Sequence, residues 1–136
     1  MKILIADDYA SLRRSLKRLL ALEFDGMVFG EAEDGPQALA AAISQPWDLI
    51  ILDISMPGCN GLEVLKKIRI HHPMLRVLMF SSHAERQYIE RAFRHGANGY
   101  LTKDRTAIEL VQAVRHILAG GCYVSAVEDE PLAAAW

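Results

Sequence analysis

Four short apolar runs of the sequence each end in side chains that can bind a metal ion, donate a hydrogen bond or carry charge. These side chains are Asp7 with Asp8, Asp53, Ser81 and Lys103. Carboxylate oxygens are ligands that Mg²⁺ accepts while it keeps several waters. A hydroxyl and an ammonium group beside such an ion would supply a donor and a point charge for a phosphoryl group in transfer. The residue types therefore predict a magnesium-dependent site for phosphoryl chemistry.

Each of these acidic residues also has a purely structural interpretation. Asp53 precedes a turn and can bond its own backbone. Asp7 and Asp8 precede a helical pattern, and the N-terminus of a helix favours acidic side chains. Two adjacent carboxylates repel, so either a cation offsets the repulsion or one carboxylate has a raised pKa. We favour a shared site, because separate structural explanations would have to coincide at four strand ends.

Five apolar runs that alternate with helical patterns are expected to position these side chains. The runs cover residues 3–6, 27–32, 49–52, 77–80 and 98–101. Short apolar runs of this kind are typical of strands buried on both faces, and helical crossovers join such strands in parallel. The pattern predicts an α/β fold: a doubly wound five-stranded parallel sheet with five flanking helices. The carboxyl ends of its strands lie at one edge, where ligands bind.

The helical patterns also predict which side chains face the core. In the first helix the apolar stripe consists of Leu12, Leu16, Leu19 and Leu20. The basic residues of that helix are expected to face water: Arg13, Arg14, Lys17 and Arg18. Arg69 of the third helix is also expected to face outward. The last helix is expected to bury Ile108, Val111, Val114 and Leu118.

The composition indicates one globular domain and argues against several classes of protein. The chain has 136 residues, of which 51% are hydrophobic and 24% charged, and its formal net charge is -2. This charge argues against a general nucleic-acid binder. The two cysteines, Cys59 and Cys122, provide neither metal spacing nor a disulfide framework. No apolar run approaches the roughly 20 residues that span a bilayer, and the N-terminus is not a secretory signal. We therefore predict a cytoplasmic protein without a membrane partner.

Several motifs together resemble the receiver domain of bacterial two-component response regulators. They are the acidic pair Asp7-Asp8, the segment DISMPGCNGLEVL that begins with Asp53, the serine at position 81, and the segment GANGYLTK that ends with Lys103. The resemblance covers residues 1–122 and implies the flavodoxin-like strand order 2-1-3-4-5. It leaves residues 123–136 as a C-terminal tail or the start of a linker. The segment GGCYVS further resembles the NarL/FixJ-like (LuxR-type) subgroup.

The resemblance assigns the chemistry of the site. It implies that Asp53 accepts a phosphoryl group from a phosphohistidine of a sensor histidine kinase. Mg²⁺, or Mn²⁺ as a substitute, is expected to bind to Asp8, to Asp53, to the backbone carbonyl of Ser55 and, through water, to Asp7. Lys103 is expected to pair with Asp53 before transfer and with the phosphoryl oxygens afterwards. Beyond its own phosphorylation and dephosphorylation, the domain is not expected to be an enzyme.

The resemblance also implies a conformational switch. Ser81 is expected to hydrogen-bond the phosphoryl group and to draw its loop inward, which lets Tyr100 rotate from an exposed to a buried position. Ser55 and His83, each two residues beyond a site residue, match positions that tune how long the phosphoryl group lasts. These roles are expectations from the resemblance alone.

Two interpretations of the output remain open. Members of the NarL/FixJ-like subgroup usually control transcription through a C-terminal DNA-binding domain, and we expect this output, with the DNA-binding domain missing from this chain. The alternative is a stand-alone receiver that acts as a phosphorelay or protein-interaction module. Homodimerisation is plausible through the first and last helices, or through the face formed by the fourth helix, fifth strand and fifth helix. A flavodoxin is less favoured, because the acidic pair would repel a flavin phosphate. An aspartyl phosphatase is less favoured, because those enzymes resemble Asp-x-Asp at the nucleophile and position 55 here is Ser.

Overall fold

A parallel sheet flanked by helices forms the centre of the computed structural model, which describes residues 1–125. The strands are β1 Lys2–Ala6, β2 Val28–Ala32, β3 Leu49–Asp53, β4 Val77–Ser81, β5 Gly99–Thr102 and β6 Tyr123–Val124. The helices are α1 Ala10–Glu23, α2 Gly35–Ser44, α3 Gly61–His71, α4 Arg86–Arg94 and α5 Thr106–Leu118, with a 3-10 turn at Lys103–Arg105. Between β3 and α3, Ser55–Met56 pairs with Cys59–Asn60 in a small antiparallel hairpin.

The strand order is β2-β1-β3-β4-β5-β6, and every neighbouring pair in this sheet is parallel. The predicted doubly wound α/β fold and the order 2-1-3-4-5 are confirmed. Strand β6, which adds two residues at the edge of the sheet beside β5, was not predicted. This strand lies within the tail predicted for residues 123–136, of which residues 126–136 lie outside the described residues.

The core consists of two apolar layers, one on each face of the sheet. Helices α2, α3 and α4 pack on one face, and α1 and α5 pack on the other. Every residue of β3 is buried, which explains why its sequence is continuously apolar rather than alternating. Burial of one large aliphatic side chain contributes roughly 1.5–3 kcal/mol, so these layers hold the strand ends in fixed relative positions.

Side-chain caps define where two of the helices begin. The Asp34 carboxylate accepts a hydrogen bond from the backbone N–H of Gln37 at 2.8 Å. The Asn60 side chain accepts one from the backbone N–H of Leu62 at 2.8 Å. Such caps satisfy N–H groups that lack a partner in the first turn. Helix α2 therefore begins at Gly35.

Two arginines predicted to face water are instead buried or half-buried. Arg13 is 6% exposed and pairs with Glu31 of β2, with Nε 2.8 Å from Oε1. Arg69 is half-buried, and its guanidinium donates to the backbone carbonyl oxygens of Gly96 and His72. Helical periodicity cannot locate such partners, because they belong to other segments of the chain. The predicted orientation was wrong for both residues.

The buried face of α5 is rotated from the predicted one. Ile108, predicted to be buried, is 75% exposed, whereas Val114 is buried as predicted. The buried residues are Glu109, Leu110, Ala113, Val114 and Ile117, a set whose spacing follows a helical stripe. The predicted set advanced mostly in steps of three, which drifts around the helix. No helix within residues 1–125 has the length and apolar character to cross a membrane.

Candidate functional site

Three carboxylates lie together at the carboxyl edge of the sheet. Asp7 and Asp8 directly follow β1, and Asp53 is the last residue of β3. Strands β1 and β3 are neighbours, with Ala6 beside Leu52 in register. One carboxylate oxygen from each of the three acids lies within 4.8 Å of the others. The structure therefore brings together the acidic cluster that the strand ends predicted.

Lys103 joins this cluster from the far side of β4. Its Nζ lies 3.0 Å from Oδ2 of Asp53 and 3.0 Å from Oδ2 of Asp7. The ammonium group also lies 5.5 Å from the ring centroid of Phe80, the β4 residue beside Asp53 in register, a distance suited to a cation–π contact. One lysine thus bridges two carboxylates that would otherwise repel each other.

Burial and this ion pair act in opposite directions on the protonation of the site. Burial raises the pKa of Asp53 to about 6, although the hydrogen bond from Lys103 and that from the Ser55 backbone N–H oppose the rise. Burial tends to lower the pKa of Lys103, but its attraction to the carboxylates of Asp53 and Asp7 outweighs burial and leaves that pKa raised. Lys103 therefore stays protonated at neutral pH and favours the charged form of Asp53.

The oxygens of the acidic cluster fit a hard divalent cation. Oδ1 of Asp8 is buried without a hydrogen-bond partner among the described residues. Oδ2 of Asp7 is also buried; Lys103 lies at ion-pair distance from it, but not in the direction of a hydrogen bond. A buried oxygen without a partner is costly, and a bound cation would remove that cost. Carboxylate oxygens suit Mg²⁺ and Mn²⁺, so the residues present fit the predicted ion.

The loop after β3 holds the Asp53 carboxylate and the hairpin close to the strand end. The backbone N–H of Ser55 donates to Oδ1 of Asp53 at 3.1 Å. The backbone N–H of Gly61 donates to the carbonyl oxygen of Ile54 at 2.7 Å. A Cβ atom at Gly61 would lie only 2.1 Å from the carbonyl oxygen of Asp53, so this approach requires glycine. The metal-binding role of the Ser55 carbonyl stays a prediction.

The predicted switch residues lie beside each other behind the site. Ser81, the last residue of β4, is 1% exposed, and Tyr100 on β5 is 0% exposed. The Ser81 Oγ accepts a hydrogen bond from the backbone N–H of His83 at 3.0 Å. The His83 ring stacks on Tyr88 with centroids 4.4 Å apart. The structure thus shows Tyr100 in the buried one of its two predicted positions, with its hydroxyl bonded to the loop after β4.

Arg13, which was not among the predicted site residues, supports the backbone that carries the acidic cluster. Arg13 Nη1 donates to the backbone carbonyl oxygen of Asp7 at 2.6 Å. Together with the ion pair between Arg13 and Glu31, this bond ties the start of α1 to the end of β1 and to β2. The signal in the sequence is an arginine in the first turn after an acidic pair, at a position that helical periodicity assigns to the solvated face.

The chain matches the family model of the response regulator receiver domain over residues 3–115. The nitrate/nitrite response regulator protein NarL of Escherichia coli is 39% identical over 132 residues, which cover 97% of this chain and 61% of NarL. The transcriptional regulatory protein DegU of Brevibacillus brevis is 35% identical over 124 residues, which cover 91% of this chain and 52% of DegU. The chain thus spans little more than half the length of these relatives.

Solved structures show the same similarity. A two-component response regulator of the LuxR family from Aurantimonas has a TM-score of 0.84 and 32% identity, with 90% of this chain and 87% of that chain covered. A CheY-like response regulator receiver domain protein from Methanospirillum hungatei has a TM-score of 0.80 and 25% identity, with 87% and 93% covered. The fold and the sequence thus point to the same family.

Proposed function

Because this chain belongs to the response regulator receiver domain family, we propose that Asp53 accepts a phosphoryl group from a phosphohistidine of a sensor histidine kinase. One observation carries the proposal: Lys103 Nζ lies 3.0 Å from both Asp53 and Asp7, beside a buried oxygen of Asp8 that has no hydrogen-bond partner among the described residues. This arrangement holds a carboxylate nucleophile next to fixed positive charge and to metal ligands.

In the proposed reaction a carboxylate oxygen of Asp53 attacks the phosphorus atom. A P–O bond to Asp53 forms while the P–N bond to the histidine breaks, and the leaving nitrogen takes up a proton. Lys103 helps to keep the Asp53 carboxylate ionised before attack and then stabilises negative charge on the phosphoryl oxygens. The domain acts only on itself in this scheme, by accepting and later losing the phosphoryl group.

The metal-binding residues in this proposal are Asp8 and Asp53, with the backbone carbonyl of Ser55 and with Asp7 through water. When bound, Mg²⁺ or Mn²⁺ would neutralise charge that develops on the phosphoryl oxygens. The buried, unpartnered oxygen of Asp8 supports this assignment. The water-mediated role of Asp7 agrees with the position of its Oδ2 beside Lys103, which already occupies one side of that carboxylate.

The proposed switch couples the Asp53 site to the loop after β4. Ser81 would donate its hydroxyl hydrogen to the phosphoryl group, and Tyr100 would favour the buried position that the structure shows. The backbone of His83 links the two residues, because its N–H donates to the Ser81 hydroxyl and its carbonyl oxygen accepts from the Tyr100 hydroxyl. A movement of either residue would therefore move this part of the loop. Ser55 and His83 are proposed to set the lifetime of the phosphoryl group through the access of water to it.

We propose transcription control as the output, because the relatives include the transcriptional regulatory protein DegU and the response regulator NarL. DNA binding would then belong to a part of the protein outside this chain, and phosphorylation would alter homodimerisation. The stand-alone phosphorelay or interaction module remains the alternative, and the native length of the protein decides between them. The cytoplasmic location stays a prediction.

The decisive experiment exposes the chain to acetyl phosphate with Mg²⁺ and measures the intact mass. The wild type should gain one phosphoryl group, and Asp53→Asn should gain none. Asp25→Asn, which makes the same charge change in the exposed loop before β2, should behave as the wild type. A phosphoryl group that appears on Asp53→Asn as readily as on the wild type would overturn the proposal.

A further inference from the structure

The last described residues of the chain bond directly to the strand that delivers Lys103. Strand β6 pairs with β5, and the backbone N–H of Ser125 donates to the carbonyl oxygen of Tyr100 at 2.9 Å. The next N–H along β5, that of Thr102, donates to the Ser125 side-chain Oγ at 3.1 Å. Where β6 ends, a side-chain hydroxyl oxygen rather than a backbone carbonyl oxygen therefore accepts the next hydrogen bond from β5.

This hydrogen bond lies where water cannot replace it. Thr102 is 2% exposed and Ser125 is 1% exposed. A buried N–H that loses its acceptor bears the full cost of its desolvation. The backbone at Thr102 is therefore held in place by the Ser125 hydroxyl.

Lys103 is the residue that follows Thr102, and it begins the 3-10 turn. Its own carbonyl oxygen accepts a hydrogen bond from the Thr106 hydroxyl at 2.7 Å. Two side-chain oxygens thus fix the backbone on either side of Lys103, Ser125 before it and Thr106 after it. A lysine side chain has four flexible carbons, so the position of its ammonium group depends on a fixed backbone.

From these contacts we infer that Ser125 is a positioning residue for phosphoryl transfer, which acts by fixing the backbone from which Lys103 reaches Asp53 and Asp7. The inference rests on the proposed function, since it assigns a new residue to the same site. The hydrogen bonds of Ser125 join it to Tyr100 and Thr102, and not to either carboxylate. Its effect on the reaction must therefore pass through Lys103.

The test compares Ser125→Thr with Ser125→Val, two variants of the same shape that differ in one oxygen. The rate of Asp53 phosphorylation is measured by intact mass over a range of acetyl phosphate concentrations with Mg²⁺. Ser125→Thr should stay within about twofold of the wild type. Ser125→Val should lower the maximal rate about three- to tenfold, because small displacements of a catalytic group are costly, while the half-saturating concentration changes less than about twofold.

A matched control removes a different hydroxyl from β6, the strand that precedes Ser125. The Tyr123 hydroxyl donates to the Glu109 carboxylate and not to the Thr102 backbone, so Tyr123→Phe should phosphorylate within about twofold of the wild type, since loss of one side-chain hydrogen bond acts mainly on stability. An equal loss of rate in Tyr123→Phe and Ser125→Val would overturn the inference. It would show that any weakening of β6 slows the reaction.

A second measurement separates positioning from mere stability. In a Lys103→Met background, Ser125→Val should cause no further loss of the residual rate, because the group that it positions is gone. The drop in thermal stability caused by Ser125→Val should be the same in both backgrounds. An unchanged phosphorylation rate in folded Ser125→Val would overturn the inference. So would a decrease in that rate by the same factor with and without Lys103.

The failure of the inference differs from the failure of the proposed function. If wild type gains no phosphoryl group on Asp53, the proposed function fails. The inference is then tested by the ¹⁵N resonance of the Lys103 ammonium group, which should broaden or shift in Ser125→Val and stay unchanged in Ser125→Thr. An unchanged resonance in Ser125→Val would overturn the inference. If Ser125→Val is only partly folded at higher temperature, the same spectra, recorded where it is folded, replace the rate measurement.

Discussion

The hydroxyl of Tyr100 donates a hydrogen bond of 2.6 Å to the backbone carbonyl oxygen of His83. This bond fastens the loop after β4 to β5 while the Tyr100 ring is fully buried. Burial raises the pKa of Tyr100 to about 12, so the phenol keeps its hydrogen and remains a donor at every physiological pH. The buried position of Tyr100 thus depends on one specific bond as well as on packing.

Tyr100→Phe should loosen that loop without moving the ring. Loss of the bond should lower the free energy of unfolding by about 1 kcal/mol and should speed amide hydrogen exchange in residues 82–85. Tyr88→Phe removes a hydroxyl from the neighbouring ring that stacks on His83 and serves as the control. Equal exchange rates in the two variants would show that the Tyr100 hydroxyl does not hold the loop.

Asp8→Asn should remove the stabilisation that Mg²⁺ gives to the protein. Binding to the folded state alone stabilises by about 2.7 kcal/mol at one hundred times the dissociation constant. The wild type should therefore show a thermal midpoint that rises with Mg²⁺, and Asp8→Asn should show almost none of this rise. Asp25→Asn provides the same charge change away from the site and should keep it. A full rise in Asp8→Asn would remove Asp8 from the ligand set.

The strand-end residues could be predicted because each signal is local. A short apolar run followed by Asp53 or Lys103 can be identified from a few residues of sequence. Parallel topology then brings the carboxyl ends of the strands to one edge of the sheet. The bridge formed by Lys103 between Asp53 and Asp7 is a geometric consequence of that topology. The sequence could not provide the distances, nor the protonation that follows from burial.

Features that depend on distant partners could not be predicted in the same way. Arg13 is buried because Glu31 lies on the neighbouring strand, and a helical pattern contains no information about that strand. Strand β6 has only two residues and is held by bonds to Asn98 and Tyr100, too short for any periodic signal. The role of Ser125 follows from that pairing and was missed with it.

Arg13→Met should destabilise the protein much more than Arg14→Met. Arg13 is buried between Asp7 and Glu31, whereas Arg14 is exposed on the same helix. We expect a loss of about 2 kcal/mol for Arg13→Met and less than about 0.5 kcal/mol for Arg14→Met, measured by denaturant unfolding. Similar losses in both variants would mean that the buried pair contributes nothing specific.

The same variant should change the titration of Glu31. The hydrogen bond from Arg13 is the largest cause of the lowered pKa of Glu31, and the one from Lys17 follows. Arg13→Met should move that pKa upward toward the ordinary value, as followed by carboxyl ¹³C resonances. A lowered pKa stabilises the fold above the unfolded value and loses that effect as pH falls. The stability difference between wild type and Arg13→Met should therefore shrink in acid.

Asp53→Asn should be more stable than the wild type at pH 7 in the absence of Mg²⁺. The folded pKa of Asp53, about 6 against an ordinary value of 3.8, means that the folded state holds a proton longer than the unfolded state. This contribution to stability falls as pH rises from about 4 to about 6. Asp53→Asn avoids the loss, so it should gain about 1–3 kcal/mol at pH 7 and nothing near pH 3.

Thermal unfolding of both proteins across this pH range measures the difference. Mg²⁺ provides the control, because a nearby cation favours the ionised carboxylate and should reverse the order of stability at pH 7. A gain for Asp53→Asn that is as large at pH 3 as at pH 7 would contradict the prediction. It would assign the effect to packing rather than to the buried charge.

Gly61→Ala should damage both the fold and the site, because the hairpin crosses the end of β3 without room for a side chain. A Cβ atom there would lie 2.1 Å from the Asp53 carbonyl oxygen and 2.7 Å from the Ile54 Cα. Both are backbone atoms, so relief requires a shift of the segment that carries Asp53. We expect a loss of about 2 kcal/mol in unfolding free energy and slower phosphorylation of Asp53 by acetyl phosphate.

Gly120→Ala separates these two effects. Gly120 has a φ of +99° and nothing within 4 Å of an added Cβ, so alanine there should cost stability through backbone strain alone. It should leave the phosphorylation rate of Asp53 within about twofold of the wild type, because its strain is local to the end of α5. If Gly61→Ala lowered stability and left the phosphorylation rate of Asp53 unchanged, the close approach at Gly61 would matter for folding alone. Phosphorylation would then tolerate a shift of the segment that carries Asp53.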